Sequence, residues 1–289
     1  MSLAALLLAL VMGGVVGVLS GLLGIGGGIV MVPFLYALMA APLFSGVVVD
    51  EAHQTALAHA TSLAVILPTA LSGFLSYRRH GLLDRDVVVP LGLPAAVAAV
   101  AGALIAVELP GAILRVAFAF LLLASCIRLL RPGPDADSGE VREAGSGVSV
   151  GAAVVGGACV GLLSALLGIG GGIVALPILL HWVGLELRRV AAASIGIITF
   201  AAPAGIASYM VAGRGLEGLP PGTIGYVSIP LALAMIPGAV LLAPLGTRIN
   251  RTLPLPILRR LFGFVMLGVG LRLLWANLPE AWARLLGAA

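Results

Sequence analysis

Two glycine runs, one in each half of the chain, offer the clearest potential for chemistry. Both read Gly-Ile-Gly-Gly-Gly, at residues 24–28 and 168–172. Glycine allows successive backbone N–H groups to point inward together, which forms an anion-binding nest. Each run precedes an apolar segment, and the N-terminus of a helix there adds partial positive charge at the same place. The alternative is that the glycines only permit close helix packing.

Polar residues also follow one face of a predicted helix over residues 53–77. They recur at alternating steps of three and four, and they are Thr55, His59, Ser62, Thr69, Gly73 and Ser76. Such a stripe lines a cavity or bonds to a neighbouring helix. His59 is the only ionisable residue well inside a predicted span, and histidine titrates near neutrality. It is therefore predicted either to bind an anion or exchange protons, or to pack as a neutral side chain.

Acidic side chains are missing from the interior of every predicted helix. Cation transporters and many proton pumps place a carboxylate there, so the pattern argues against a cation ligand and against an Asp/Glu proton relay. The histidines show no metal-ligand spacing, and Cys126 and Cys159 read as small buried hydrophobes. No nucleophile–base pattern is visible. The sequence predicts no enzymatic activity, no metal and no cofactor.

The composition of the chain indicates a membrane protein. Of 289 residues, 61% are hydrophobic and 10% are charged, with a mean hydropathy of +1.17. Soluble proteins carry about 25% charged residues, so a soluble enzyme, a disordered chain and a nucleic-acid-binding domain are excluded. The N-terminus lacks a basic segment before its apolar run, and it is predicted to be the first membrane element. The fold class is all-α and polytopic.

The two halves of the chain repeat each other. Residues 17–35 match 161–179, Ser76-Tyr77 matches Ser208-Tyr209, and Gly73 matches Gly205. Further on, Pro94 and Gly102 are aligned with Pro230 and Gly238. The predicted segments are 3–22, 28–44, 53–77, 86–107 and 111–130, then 148–167, 172–184, 188–212, 223–245 and 256–276. The predicted organisation is a first repeat (1–130), a cytoplasmic linker (131–147), a second repeat (148–276) and a tail (277–289). Tyr77 and Tyr209 are predicted to anchor at the membrane interface.

The glycine runs leave two topologies open. If each run breaks a hairpin that returns to its starting side, each five-segment half crosses an odd number of times and the halves are inverted. If each broken pair is one kinked helix, the halves are parallel. All sixteen basic residues are arginines, and the inverted topology with outer termini puts twelve inside, the exceptions being Arg115, Arg214, Arg272 and Arg284. The better parallel orientation gives nine against seven. The positive-inside rule thus favours inverted repeats whose glycine-broken hairpins meet near the midplane.

The doubled motif S-x-L-L-G-I-G-G-G-x-V-x-x-P, at residues 20–33 and 164–177, resembles the sulfite exporter TauE/SafE family. The segments 60–63 and 193–195 support the resemblance, which covers residues 3–276. It implies secondary, proton-linked movement of sulfite, sulfoacetate and related organosulfonates across the bacterial inner membrane. One departure is that the Thr61-Ser62 pair becomes Ala193-Ser194, which removes one hydroxyl and makes the site asymmetric.

The combined prediction is an alternating-access transporter, and the alternative is a passive channel or a carrier of another small anion such as a carboxylate. His59 is the predicted coupling residue. The expected partners are a small anion and the lipid bilayer, with no nucleic acid and with a possible homo-oligomer. The predicted substrate-binding residues are Ser20, Gly24, Gly26, Gly27, Gly28, Thr61, Ser62, Ser164, Gly168, Gly170, Gly171, Gly172 and Ser194.

Overall fold

A computed structural model describes residues 3–24, 26–40, 51–130, 148–185, 187–252 and 254–285. These residues form ten α-helices and one short β-hairpin. The predicted linker 131–147 and residues 41–44 of the second predicted segment lie outside the described residues, as do residues 286–289. The division into two repeats, a linker and a tail stays a prediction.

The helices of the first half follow the predicted segments closely. They are α1 (Leu3–Leu23), α2 (Gly28–Ala40), α3 (Glu51–Arg79), α4 (Arg85–Glu108) and α5 (Gly111–Leu130). The break between α1 and α2 falls on the first glycine run. It is sharp because Gly24, Gly26 and Gly27 all have positive φ, a conformation that costs other residues about 1–2 kcal/mol.

The second half has the same order of helices as the first. It differs near its end, where a β-hairpin precedes the fourth helix and the last helix is longer than α5. Its elements are α6 (Val150–Leu167), α7 (Gly172–Pro177) with a π-helical turn (Ile178–Trp182), α8 (Leu187–Ala212), β1 (Thr223–Ile224), β2 (Val227–Ser228), α9 (Ile229–Thr252) and α10 (Leu255–Leu285). The helix predicted over 223–245 starts later, since residues 223–228 form the hairpin and Pro230 suits the first turn of a helix. The last helix runs past 276, because the polar Asn277 is buried inside the bundle instead of ending it.

The outer surface of the bundle is apolar. Val97 and Leu241 are each 75% exposed and Trp275 is 88% exposed, which suits contact with lipid tails. In the described part of the chain, six helices are long and apolar enough to cross a membrane: α1, α3, α4, α6, α8 and α9. The protein is an all-α polytopic membrane protein.

Small residues bring helices of different halves into backbone contact. On α1, Gly13 and Gly17 lie against the backbone of Met235 and Ala239 of α9. On α6, Gly157 and Gly161 lie in the same way against Leu91 and Ala95 of α4. Close approach of this kind is what holds membrane helices together in lipid, where no hydrophobic force acts between them. Each broken hairpin is therefore packed against a helix from the opposite half.

These contacts correct the alignment of α4 with α9. Gly102 lies against Leu162, and Gly246 lies in the equivalent position against Val18. The structure thus makes Gly246 the counterpart of Gly102, whereas the sequence alignment chose Gly238. Prolines and glycines are frequent in both helices, so a chance match of Pro94 with Pro230 shifted the register by two helical turns.

The equivalent helices of the two halves run antiparallel where they meet. On α3 and α8, Gly73 contacts Ile195 while Gly205 contacts Leu63. On α5 and α10, Cys126 Sγ contacts the carbonyl of Gly263 at 3.1 Å while Arg115, near the other end of α5, bonds to Asn277. The inversion of the two halves with respect to a membrane stays a prediction.

Candidate functional site

The two glycine runs meet in the centre of the bundle. A Cβ atom on Gly28 would lie 2.8 Å from the carbonyl oxygen of Ile169, and one on Gly26 would lie 3.2 Å from the same atom. The predicted glycines of both runs are all buried. The geometry therefore brings the two halves of the predicted set together, at the place where each hairpin turns.

Backbone N–H groups are left available at both turns. The left-handed conformations of Gly26 and Gly27, and of Gly170 and Gly171, interrupt the helical hydrogen bonds. Among the described residues, the amides of these four glycines donate to no backbone carbonyl. The helices α2 and α7 begin at once after them, so their N-terminal amides and positive dipole ends lie at the same place. Donors of this kind can bind an anion.

Two isoleucines cover the turns. A Cβ on Gly26 would meet Ile198 of α8 and Ile66 of α3, each at 3.3 Å, and one on Gly170 would meet Ile66 at 3.0 Å. Ile66 and Ile198 are equivalent positions in the two halves, so they form a symmetric apolar cover. Ile66 interrupts the polar stripe of the predicted helix 53–77, and that interruption is the sequence signal for this role.

Three of the predicted serines are buried hydroxyls with unused hydrogen-bonding capacity. The Oγ atoms of Ser20, Ser164 and Ser194 are buried and have no hydrogen-bond partner among the described residues. A buried hydroxyl left without a partner costs about 1–3 kcal/mol. Ser20 and Ser164 occupy the last turns of α1 and α6, immediately before the glycine runs. The described protein thus leaves three buried hydroxyls unbonded, two of them directly before the glycine runs.

Ser62 and Thr61 are already bonded to the protein. The hydroxyl of Ser62 donates to the carbonyl of Gly168 at 2.7 Å, so Ser62 lies at the second glycine run. The hydroxyl of Thr61 accepts from the amide of Ser228 at 3.0 Å, which ties α3 to the β-hairpin before α9. Ser62 therefore joins the cluster at the turns, and Thr61 faces the hairpin instead.

His59 stands between the glycine turn and a second polar cluster. Its backbone lies against Gly168, its Nε2 is hydrogen-bonded to the hydroxyl of Tyr36, and it is fully buried. Its Nδ1 is buried with no partner in the described structure. Two serines of the polar stripe bond to other segments, Ser62 to Gly168 and Ser76 to Thr247, whereas Thr69 donates to the carbonyl of Val65 in its own helix.

Arg115 is a residue that sequence reasoning did not select. Its guanidinium donates to Gln54 (2.9 Å), Thr55 (3.1 Å) and Asn277 (3.3 Å), and it lies 5.2 Å from the centre of the Tyr36 ring. The positive-inside pattern identifies Arg115 only as a charge on the outer side of the membrane. Its position inside a mainly apolar helix was the available signal. Through Tyr36 it is connected to His59 and so to the glycine turns.

Tyr77 and Tyr209 do not anchor at the membrane surface, so that prediction is wrong. Both are almost completely buried. The hydroxyl of Tyr77 donates to the carbonyl of Gly21 at 2.6 Å, and that of Tyr209 donates to Ala165 at 2.8 Å. The two acceptors are equivalent carbonyls in the last turns of α1 and α6, where the regular i→i−4 hydrogen bonds of the helix end. Each tyrosine thus clamps the end of the helix that leads into a glycine run.

The remaining candidates show no site chemistry. Cys126 is buried, but Cys159 is exposed on α6, so the prediction of burial is wrong for Cys159; a small thiol is tolerated against lipid. In the described residues, no group of histidine, cysteine and acidic side chains could hold a metal ion. His53 and His80 lie near helix ends as predicted, and the side chain of His181 lies outside the described residues.

Comparison with known proteins gives consistent relatives over nearly the whole chain. A probable membrane transporter protein of Methanocaldococcus jannaschii is 30% identical over 268 residues, which cover 92% of this chain and 94% of the relative. The probable membrane transporter protein YunE of Bacillus subtilis is 29% identical over 284 residues, covering 93% and 97%. No solved structure matches the chain. The family model described as "Sulfite exporter TauE/SafE" matches residues 8–273, and the chain belongs to this family of membrane transporters.

Proposed function

We propose that the protein is a secondary transporter, working as an exporter, of small sulfur-containing anions such as sulfite or organosulfonates. The observation that carries the proposal is the meeting of two glycine turns. Among the described residues, the amides of Gly26, Gly27, Gly170 and Gly171 donate to no backbone carbonyl, and the hydroxyls of Ser20, Ser164 and Ser194 have no hydrogen-bond partner. Sulfite and sulfonates present several oxygens that accept hydrogen bonds from such groups. Among the described residues no Asp or Glu is buried, so no negative charge opposes an anion there.

The proposal includes inverted halves in a bacterial inner membrane, with both termini outside. The arginine distribution supports this orientation. The antiparallel run of the equivalent helices α3 and α8, and of α5 and α10, supports it as well, because an axis in the membrane plane requires that direction. Inverted repeats with broken helices around a central site are a common plan of secondary transporters.

Alternating access would open the covered turns to one side and then to the other. Helix α1 is packed on α9 and α6 on α4 through glycines that leave no space for side chains. Each pair should therefore move as a unit, and each unit contains one broken hairpin and one helix of the other half. Movement of one unit against the other would change how the glycine turns lie against Ile66 of α3 and Ile198 of α8.

His59 is proposed as the proton-coupling residue. Its contact with the second glycine turn supports this role, because a proton added to its ring would place positive charge beside the bound anion. Arg115 would attract the anion to the outer end of its path, since a cation acts on an anion over distance. Tyr36 links the two residues.

Uptake into proteoliposomes tests the function directly. Sulfite, thiosulfate, sulfoacetate and acetate would be compared with and without a pH gradient. We expect the sulfur-containing anions to be accumulated against their gradient and acetate to be carried much more slowly. Equal rates for all four anions would contradict the sulfur-specific proposal, and pH-independent equilibration without accumulation would indicate a passive channel.

A further inference from the structure

A cavity of about 290 Å³ lies between the C-terminal parts of α3 and α9, away from the glycine turns. We call it the α3–α9 cavity. Its polar lining consists of Ser72, Ser76, Arg79, His80 and Arg248, and Leu75 forms part of its wall. Nothing in the proposed transport mechanism uses these residues.

The cavity is cationic, and its hydroxyls are already engaged. Ser72 donates to the carbonyl of Val240 at 2.9 Å, and Ser76 is bonded to Thr247 at 2.6 Å. Arg79 and Arg248 form no ion pair with any carboxylate in the described part of the chain. Two guanidinium groups facing one cavity suit a phosphate, which guanidinium binds with paired hydrogen bonds.

The repeat provides an internal comparison for these charges. In the other half, the positions equivalent to Arg79, His80 and Arg248 are Val211, Ala212 and Leu104. The same kind of helix pair, α8 with α4, therefore packs without any of the three basic residues. The fold does not need them at this seam, and the positive-inside rule requires only their side of the membrane, not their convergence on one cavity.

The cavity opens onto an apolar strip that runs toward the middle of the membrane. On α3, Leu71 and Leu75 are exposed, and on α9, Leu241 and Leu245 are exposed. Each pair is one helical turn apart, so the four side chains continue from the cavity along the two helices. A basic pocket between membrane helices at the level of the headgroups, followed by exposed leucines, fits a phospholipid and not only a free anion.

We propose that the α3–α9 cavity binds the phosphate group of an anionic phospholipid, whose acyl chain lies along the leucine strip. The lipid would hold together α3 and α9. Helix α3 carries His59, and α9 moves with the first broken hairpin. A bound lipid would therefore restrain the movement of that hairpin relative to His59. The site itself is independent of which anion is transported.

Native mass spectrometry of the full-length protein in detergent tests the proposal. The probes are dioleoylphosphatidylglycerol and dioleoylphosphatidylcholine, titrated separately. The unmodified protein should bind the anionic lipid about tenfold more tightly than the zwitterionic one. In the double variant Arg79→Gln/Arg248→Gln this preference should fall to less than about twofold.

The matched control is Arg78→Gln/Arg85→Gln, which removes the same charge from exposed positions at the same end of the helices. It should keep the preference for the anionic lipid, and an equal loss in the control would overturn the assignment to the cavity. In a second experiment, inorganic phosphate at millimolar concentration is added to the protein with bound lipid. Displacement of the lipid by phosphate at that concentration, or absence of a lipid preference in the unmodified protein, would overturn the phospholipid proposal.

Discussion

The two glycine turns are built alike, but their neighbours differ. Gly24 lies against the backbone of Ala191, and Gly168 lies in the same way against His59. The glycines, the tyrosine clamps and the helix contacts all occur twice. His59 and Thr61 have only alanine at the equivalent positions. The repeated parts are therefore those that build the turns, whereas the proposed coupling residue, His59, occurs only once.

The largest expected effect is on the repeated part. Gly24→Ala and Gly168→Ala should each abolish transport, because both residues have positive φ and both face backbone at contact distance. The strain alone is worth about 1–2 kcal/mol at each position, and the losses should be equal in the two variants. Gly268→Ala is the matched control, since nothing lies within 4 Å of a Cβ there. Uptake assays would measure the loss of transport, and thermal unfolding would measure the loss of stability. If alanine is tolerated at one of the two positions and not at the other, the two glycine turns are not equivalent.

The next effect concerns the part that occurs once. His59→Gln should abolish the response of uptake to a pH gradient while exchange of anion across the membrane continues, because the side chain that is proposed to gain the proton is gone. Ala191→Ser, at the equivalent position, should leave that response intact. Uptake with imposed pH gradients separates the two outcomes. Unchanged coupling in the histidine variant would refute its proposed role.

A smaller effect is expected at Arg115. Arg115→Gln should raise the KM for the anion roughly tenfold, which corresponds to about 1.4 kcal/mol, with a smaller change in the maximal rate. The reason is that the residue attracts the anion without contacting it in the glycine turns. Arg272→Gln, at an exposed position on α10, is the control for charge alone. An equal change of KM in both variants would show that Arg115 acts only through its charge, as an exposed arginine does.

The smallest effect should come from the clamps. Tyr77→Phe and Tyr209→Phe each remove one buried hydrogen bond to a helix end, which is worth about 1 kcal/mol. We expect a similar small decrease in thermal stability for each variant and retained transport. A large loss of thermal stability in only one of the two variants would show that the two tyrosines do not contribute equally to the stability of the fold.

Much of the fold could be predicted because membrane helices have a strong sequence signal. The helix bounds of the first half, the glycine breaks and the all-α class follow from apolar length and from the cost of glycine in a helix. The register of α4 against α9 could not be predicted, because small residues recur along both helices and several alignments look alike. The start of α9 was also missed, since the residues of the β-hairpin are nearly as apolar as those of the helix.

The candidate site could be predicted only in part. The glycine runs identify the turns, because three glycines in succession have few other uses. The roles of Tyr77, Tyr209 and Arg115 depend on contacts between distant segments, and a tyrosine or an arginine near a helix end reads from sequence as an interfacial residue. Thr61 illustrates the same limit, since its partner Ser228 comes from the other half of the chain.

Substrate protection of engineered cysteines tests whether the anion binds at the glycine turns. Ser20→Cys and Ser164→Cys would be made in a Cys126→Ala/Cys159→Ala background and reacted with N-ethylmaleimide, with Val150→Cys as an exposed control. We expect sulfoacetate to slow labelling at both turns and to leave the control unchanged, whereas acetate should protect neither turn. Labelling at both turns that sulfoacetate does not affect, in variants that still transport it, would refute binding at the turns.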